Sequence, residues 1–294
     1  MRQIGIVTDS NSGISPELAS SLGITVLPMS FFVDGKEYFE NVDLSQEDFF
    51  RMMQEDNVDV STTQPSPDAI RRVWDNVLKE NDALVYIPMS SGLSASCGTA
   101  TALAKQYDGR VEVVNNHRIS VTQYQSVLDA LTLANAGHSA REIRSKLEEE
   151  SFESSIYIMV DTLDYLKHGG RITPAAAMIG SVLHLKPVLQ IQGDKLDSYA
   201  KTRGEKAARH AMLNAIREDV EGRFHPYAEK DELVYHYSWS YTEDKTRITS
   251  WQEEICHEFG LSEIEGMPLA LSISCHTGPG CLAVTCSHRI LPDF

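Results

Sequence analysis

The chain has 294 residues, of which 42% are hydrophobic and 23% are charged, and its formal net charge is −16. This composition is ordinary for a globular protein and excludes a mainly disordered chain. The acidic excess excludes broad electrostatic binding to nucleic acid or to an anionic membrane, because both partners need a basic face.

The length is sufficient for two domains with separate cores. No apolar run approaches the length of a membrane span, and the N-terminal sequence turns polar by Thr8, too early for a secretory signal. We therefore expect a cytoplasmic protein without stable membrane insertion. The five cysteines are an odd number without C-x-x-C spacing, which favours reduced thiols over disulfides or a structural zinc site.

In the first half of the chain, apolar runs alternate with segments that carry helix-start signals such as Ser-Pro pairs and a capping box at Ser139 and Glu142. The predicted strands are residues 4–7, 24–33, 83–89 and 111–114. The predicted helices are residues 16–23, 45–55, 67–80, 94–107, 118–136 and 139–150. This alternation predicts a three-layer α/β/α domain with a mainly parallel sheet.

After Ser151 the order of elements changes. The predicted strands are residues 156–160, 186–191, 195–201, 233–237, 270–274 and 282–286, with a hairpin turn at residues 193–194. The predicted helices are residues 162–167, 174–183, 204–220 and 242–259. We therefore predict an N-terminal α/β domain at residues 1–151 and a C-terminal α/β domain with a mixed sheet at residues 152–294.

Three loops rich in hydroxyl groups and glycine follow predicted strands, and each is a candidate ligand contact. The first is TTQPSP at residues 62–67, where Ser66 and Pro67 start a helix. Because a helix N-terminus favours a negative group, Thr62 and Thr63 are candidates to bind a carboxylate there. The structural alternative is that Ser66 caps the helix and the threonines only shape the turn.

The second loop, PMSSGLS at residues 88–94, lies at the carboxyl edge of the predicted parallel sheet, where open α/β sheets bind ligands. Ser91 and Ser94 are both candidates for contact with the same head group. The third loop is CHTGPG at residues 275–280, and it follows the predicted strand at residues 270–274. It contains His276 and Gly278, although a lone histidine is more often structural than ligand-binding.

Taken together, these loops resemble the motifs TSQPSP, SSxLSGTY and His-x-Gly-Pro-Gly of the DegV family of bacterial fatty-acid-binding proteins. Residues 162–172, 179–189 and 201–204 also resemble that family's segments TLEYLKKGGRI, IGxLLxIKPIL and KxRG. The departures are Thr63, where the family has serine, and residues 95–97, where Ala-Ser-Cys replaces Gly-Thr-Tyr. The resemblance runs from Asp9 to Gly280.

The resemblance implies a two-domain fold with a long-chain fatty acid bound between the domains. Thr62 and His276 then match the residues that hold the carboxylate, together with a serine from residues 91–94, and residues 176–189 line the acyl tunnel. Arg203 matches an arginine near the ligand opening and the partner surface. The basic segment at residues 201–209 is a candidate docking surface.

The family also implies a non-enzymatic carrier with no metal and no cofactor besides the bound fatty acid. A partner fatty-acid kinase phosphorylates the presented carboxylate, and the acyl phosphate passes to an acyltransferase of phospholipid synthesis. The chain has no G-x-x-x-x-G-K-[ST] nucleotide loop of its own.

Two other hypotheses remain open from the sequence. One is a serine-dependent lipid hydrolase or acyltransferase that uses Ser91 or Ser94 with His276, although no G-x-S-x-G motif and no orienting acid is identified. The other is a metal site formed from five residues near the C-terminus, namely Cys275, His276, Cys281, Cys286 and His288. Alternating residues on a strand point to opposite faces, so this spacing does not gather them readily.

Overall fold

The computed structural model describes residues 3–40, 42–55, 58–178, 185–192 and 195–292. In the N-terminal half the strands are β1 Ile4–Asp9, β2 Thr25–Leu27, β3 Ser30–Val33, β4 Lys36–Phe39, β5 Val60–Thr62, β6 Ala83–Ile87 and β7 Val111–Val113. The α-helices are α1 Pro16–Leu22, α2 Gln46–Glu55, α3 Pro67–Val77, α4 Ser96–Ala104, α5 Val121–Asn135 and α6 Ala140–Glu149. Short 3-10 helices lie at Ser10–Ser12 and Lys105–Tyr107.

In the C-terminal half the strands are β8 Ser154–Met159, β9 Leu185–Ile191, β10 Asp197–Arg203, β11 Leu233–Trp239, β12 Glu265–Pro268 and β13 Leu282–His288. The helices are α7 Asp164–Gly169, α8 Pro174–Ala177, α9 Glu205–Glu221, α10 His225–Ala228, α11 Thr246–Phe259 and α12 Leu271–Thr277. No described helix is both long enough and apolar enough to span a membrane.

A parallel sheet with the strand order β2-β1-β6-β7 forms the centre of the N-terminal half. Helices α3 and α4 pack on one face around the buried Trp74 and Tyr86. Helices α1, α5 and α6 cover the other face around Val85 and Val127. The predicted three-layer arrangement is confirmed. Its physical reason is that β6 is apolar on both faces, so helices must cover both.

A mixed sheet with the order β10-β9-β8-β13-β11-β12 forms the C-terminal half, as predicted. Its strands pair antiparallel except for β11 with β12. Helices α9 and α11 cover one face. The other face packs against α7, α8 and α12, and also against Leu93 and Ile119 from the N-terminal half. The two-domain fold is consistent with this arrangement, whereas the boundary between residues 151 and 152 stays a prediction.

The predicted single strand at residues 24–33 is divided into two strands in different sheets. β2 joins the parallel sheet, and β3 joins a small antiparallel sheet with the order β4-β3-β5. Pro28 lies at the break, where it has no amide hydrogen to donate to a ladder. The break brings β5, and with it Thr62, towards the C-terminal half.

The predicted strand at residues 270–274 is wrong, because this segment begins the helix α12. A short apolar run has no periodicity that separates a strand from a buried helix. As a helix, it packs Leu271 and Cys275 against the small antiparallel sheet and α2. The backbone amide of Leu271 donates to Glu40 Oε2 at 2.8 Å, which satisfies one free amide at the helix start.

The other predicted elements lie close to the observed ones, and the capping box at Ser139 and Glu142 is present at the start of α6. The predicted helix at residues 174–183 is described only as far as α8, and residues 179–184 lie outside the described part. The hairpin strands β9 and β10 pair antiparallel as expected. Their predicted turn at residues 193–194 also lies outside the described residues.

A buried ionic cluster joins the end of α6 in the N-terminal half to β13 in the C-terminal half. Glu150 Oε2 lies 2.8 Å from His288 Nδ1, and Glu150 Oε1 lies 2.9 Å from Lys146 Nζ. Arg118 Nη2 donates to the Glu150 carbonyl at 2.7 Å. Burial opposes ionisation of Glu150, but the hydrogen bonds and charges of His288 and Lys146 outweigh it and lower the pKa of Glu150 to about 2.

We predict that Glu150→Gln lowers the free energy of unfolding at neutral pH by about 2 to 3 kcal/mol, since it removes a paired buried carboxylate. The pKa of Glu150 is lower in the folded state, so its contribution is present above pH 4.5 and is lost as the pH falls towards 2. The difference from wild type should therefore shrink at pH 3 in urea unfolding experiments. The control is Glu149→Gln, whose exposed carboxylate lies 3.6 Å from Lys146 and should contribute less than about 0.5 kcal/mol. Equal effects of the two substitutions would contradict the assignment.

Candidate ligand-binding site

A cavity of about 330 Å³ lies where the small antiparallel sheet, the loops after β1 and β6, and the helices α7 and α12 meet. Its polar lining residues include Thr62, Thr63, Gln64, Ser94, Arg171 and His276. Its apolar lining residues include Met29, Met89, Leu93, Ile119, Leu166, Leu196 and Ile273. Thr63 and Ala95 are exposed, whereas Ile119, Leu196 and Ile273 are buried. The exposed part of the cavity is mainly polar, and its buried wall is mostly aliphatic, with Asn11, Ser272 and Thr277 as buried polar members.

Thr62 and His276 meet at the polar end. Thr62 is the last residue of β5, and His276 lies in the last turn of α12. Thr62 Oγ1 and His276 Nε2 are 2.9 Å apart, at hydrogen-bonding distance. Two residues separated by more than 200 positions in sequence thus lie side by side at one end of the cavity.

The His276 side chain is neutral at neutral pH. Burial, together with the positive charges of Arg171 and His168, lowers the pKa of His276 to about 4. A neutral imidazole is a hydrogen-bond donor at one nitrogen and an acceptor at the other. His276 can therefore orient a bound polar group without supplying a full charge.

Arg171 supplies the positive charge of the site. Its Nε donates to the Leu93 carbonyl at 3.3 Å, and its Nη1 donates to the Gly169 carbonyl. Within the described part of the chain, no carboxylate forms an ion pair with this partly buried guanidinium. Because a guanidinium has five donors and matches a carboxylate well, an anion at the cavity would complete its bonding.

Two glycines make room for the packing around His276. A β-carbon built on Gly169 would lie 2.0 Å from His276 Nδ1, so α7 approaches α12 through a residue without a side chain. Gly278 ends α12 with φ of 73°, and a β-carbon there would lie 2.4 Å from the Tyr165 ring. A positive φ and a close ring both require glycine at this position.

A buried hydrogen-bond network holds another part of the cavity wall. Asp9 Oδ1 accepts from the amide and side chain of Asn11 at 3.0 and 2.9 Å, and Asp9 Oδ2 accepts from the Met89 amide at 2.9 Å. Ser272 Oγ then donates to Asn11 Oδ1 at 2.7 Å. This network ties the ends of β1 and β6 to α12, one turn before His276.

The structure brings Thr62, Thr63, Ser94 and His276 to the cavity wall. It does not bring Ser91, Arg203 or Gly278 there. Ser91 is exposed in the turn before α4, Arg203 is exposed at the end of β10, and Gly278 is buried behind Tyr165. The ligand contacts assigned to these residues stay predictions, and between the two serines the geometry favours Ser94.

Sequence reasoning did not select Asn11, Gln64, Arg171 or Ser272, all of which line the cavity. Gln64 lies inside the TTQPSP motif, and its Oε1 accepts from Thr99 Oγ1 at 2.9 Å. Asn11 lies in the polar loop after β1, at the same sheet edge as the PMSSGLS loop, which was an available signal. Arg171 and Ser272 had no such signal, because their positions depend on the docking of α7 and α12.

The geometry bears on both alternative hypotheses. In the described residues, no hydrogen bond joins Ser91 or Ser94 to His276 and no carboxylate orients the imidazole. Cys281 and Cys286 lie in cores on opposite faces of the mixed sheet. Among the described residues, no group of three or more His, Cys, Asp or Glu side chains could hold a metal ion.

A two-domain α/β fold with a cavity that is polar at one end and apolar at the other is the architecture of a small-molecule-binding protein. The chain belongs to the DegV family, whose sequence model, described as that of an uncharacterised protein family, matches residues 3–289. The match covers nearly the whole chain and confirms the resemblance seen in the loop motifs.

Relatives of known sequence or structure agree with this membership. A DegV domain-containing protein of Deinococcus radiodurans is 33% identical over 217 residues, which are 74% of this chain and 77% of that protein. The structure of a fatty-acid-binding DegV family protein from Thermus thermophilus superposes with a TM-score of 0.87 at 30% identity, covering 98% of this chain and 100% of the other. The fatty-acid-binding protein DegV of Bacillus subtilis has the same fold, with a TM-score of 0.84 at 24% identity and coverage of 98% and 100%.

We predict that Gly169→Ala displaces the His276 imidazole from Thr62, because the new methyl group would occupy the position of the ring. The displaced ring should be better hydrated, so its pKa should rise from about 4 towards the ordinary 6.5. An NMR titration of the histidine signals measures this shift. Gly98→Ala is the matched control, since it also lies in a helix and its new β-carbon meets nothing within 4 Å. An unchanged His276 pKa in Gly169→Ala would contradict the packing described above.

Proposed function

We propose that this protein binds a long-chain fatty acid with its carboxylate at the polar end of the cavity and its acyl chain along the apolar walls. The observation that carries the proposal is that Arg171, His276 and Thr62 line one end of the same cavity whose remaining wall is mainly aliphatic. The fatty-acid binding of the Thermus thermophilus relative supports it.

The polar end suits a carboxylate and opposes a neutral head group. The Arg171 guanidinium balances the negative charge, while the Thr62, Thr63 and Ser94 hydroxyls and neutral His276 offer further hydrogen bonds. A buried carboxylate without partners would cost several kcal/mol, so convergent donors are needed. Each hydrogen bond to the charged group contributes about 1.5 to 3 kcal/mol.

The acyl chain should provide most of the affinity. At about 0.8 kcal/mol per buried methylene, a chain of about fourteen methylenes gains roughly 11 kcal/mol before the costs of ordering and association. The head-group contacts then set orientation, and the carboxylate faces the exposed side of the cavity at Thr63 and Ala95. A bound fatty acid can therefore be presented to another protein without leaving its tunnel.

We predict that purified protein releases a long-chain fatty acid on extraction in about a one-to-one ratio. Thr62→Val and His276→Ala should each weaken fatty-acid binding by about tenfold or more, because each removes a hydrogen bond near the carboxylate. Isothermal titration of delipidated protein measures the change. Ser61→Ala is the control, since Ser61 lies on the same strand but is exposed and turned to the other face. Protein that neither carries nor takes up fatty acid would refute the proposal.

We further propose that the protein is a cytoplasmic carrier that presents the carboxylate to a fatty-acid kinase, and that the acyl phosphate then passes to an acyltransferase of phospholipid synthesis. The absence of a nucleotide loop in the sequence supports a separate kinase. The cations Lys201, Arg203 and Lys206 are all exposed and lie within six residues of sequence, which suits recognition by an acidic partner face.

Fewer cations of the predicted basic segment at residues 201–209 are exposed than the sequence suggested. Arg209 is buried and forms ion pairs with Glu205 and Glu254, so its charge is not available to a partner. The proposed docking surface therefore comprises Lys201, Arg203 and Lys206. Arg171, which lines the cavity, is the candidate to balance the charge of the phosphoryl group as it is transferred.

We predict that Arg203→Ala slows kinase-dependent acyl-phosphate formation several-fold while leaving the fatty-acid affinity unchanged. The loss should diminish at high salt, because charge steering between exposed groups is screened. Arg141→Ala removes the same charge from an exposed site on α6 and should leave the transfer rate unchanged.

Ester hydrolysis by the protein alone, abolished in Ser91→Ala or Ser94→Ala, would instead establish the hydrolase hypothesis.

A further inference from the structure

A second, smaller chamber of about 40 Å³ adjoins the deep end of the main cavity. The two share the lining residues Ile119, Leu196, Ile273 and Thr277, so the chamber continues the cavity beyond its apolar end. All of the chamber's lining residues are less than 10% exposed. It is therefore an interior space and not a surface groove.

The chamber lies over two small residues that are direct neighbours on adjacent strands of the mixed sheet. Ser238 on β11 pairs directly with Ala283 on β13, and both line the chamber. Ile158 follows Ala283 in the same row on β8, and Ile156 and Ile191 also line the chamber. The Ser238–Ala283 pair thus forms a depression between larger aliphatic side chains.

The chamber suits a hydrocarbon end, because most of its lining residues are aliphatic. Nine of its thirteen lining residues are aliphatic, and the other four, Ser120, Ser238, Thr277 and Thr285, carry hydroxyl groups, of which that of Thr285 donates to the His236 carbonyl at 3.3 Å. A small chamber with a mainly aliphatic wall favours an apolar guest. Its walls include β8, β13 and β11, which are interior strands of the sheet and yield little to a longer guest.

We infer that this chamber receives the terminal methyl end of the acyl chain, and that the Ser238–Ala283 pair sets the longest acyl chain that the protein accepts. The inference rests on the proposed fatty-acid binding. Thr62, His276 and Arg171 hold the carboxylate at the far end of the cavity. Because the carboxylate position is fixed, the length of the acyl chain determines how far its methyl end reaches into the chamber. Each methylene that no longer fits should reduce the affinity by about fourfold or more.

The test measures the affinities of delipidated wild type and variants for saturated acids from decanoic to eicosanoic acid. Ala283→Val fills the depression, so its preference should move to shorter acids, with a loss of about tenfold or more for the longest acid that wild type binds well. Ile191→Val enlarges the chamber and should move the preference to longer acids. Val284→Ile is the matched control, because it enlarges the neighbouring residue of β13 on the opposite face of the sheet.

The outcomes are distinguishable from a failure of the proposed function. Opposite shifts in Ala283→Val and Ile191→Val, with the wild-type order of affinities in Val284→Ile, support the inference. If all variants bind the acids with the wild-type order of affinities, the inference is overturned, and the proposed fatty-acid binding is unaffected. If Ala283→Val fails to fold, Ile191→Val decides by the same criterion. Wild-type protein that binds none of the acids refutes the proposed function itself.

Discussion

The site depends on how the short helix α12 is held between the two halves of the protein. Residues four apart lie on the same side of a helix, so six of its seven residues form three pairs, each on its own side. Leu271 and Cys275 pack on the small sheet of the N-terminal half. Ser272 and His276 form the polar stripe, bonded to Asn11 and Thr62. Ile273 and Thr277 line both the main cavity and the deep chamber. One helix thus anchors the halves, orients the polar end and walls the apolar end.

This anchoring explains why the polar residues at the cavity come from distant parts of the sequence. Glu40 accepts the first amide of α12, and Gly169 lets α7 approach its last turn. The close packing that buries His276 also depresses its pKa, so the imidazole acts as a dipole while Arg171 carries the charge. A neutral donor and a separate cation bind an anion without placing two buried positive charges side by side.

The sequence predicted the layers of each half well, but it predicted the contact region between the two halves poorly. The buried strand β6 and the capped helices α3 and α6 are specified locally, by apolar runs and by Ser-Pro or Ser-x-x-Glu signals. The run at residues 270–274 has no such signal, and burial on every side makes a short helix resemble a strand. Arg171 was assigned to a glycine-ended packing segment, because its place at the cavity follows from a contact between α7 and α12 that spacing does not reveal. Thr62 was a candidate from the nearby helix start, and the family motifs selected both Thr62 and His276; the structure adds the contact between them.

A cavity of this size places an energetic constraint on the whole molecule. The apolar side chains that line the 330 Å³ cavity do not pack against other protein atoms on that side, so they forgo the burial and dispersion contacts that stabilise a filled core. Neither half closes the space alone, since the mixed sheet, α12 and the loops after β1 and β6 each supply part of the wall. Under the proposed function, a fatty acid supplies the missing packing and holds both halves together. The Ser238–Ala283 depression, which weakens the packing of the core by itself, then has a structural reason: it is filled by the ligand and not by the protein.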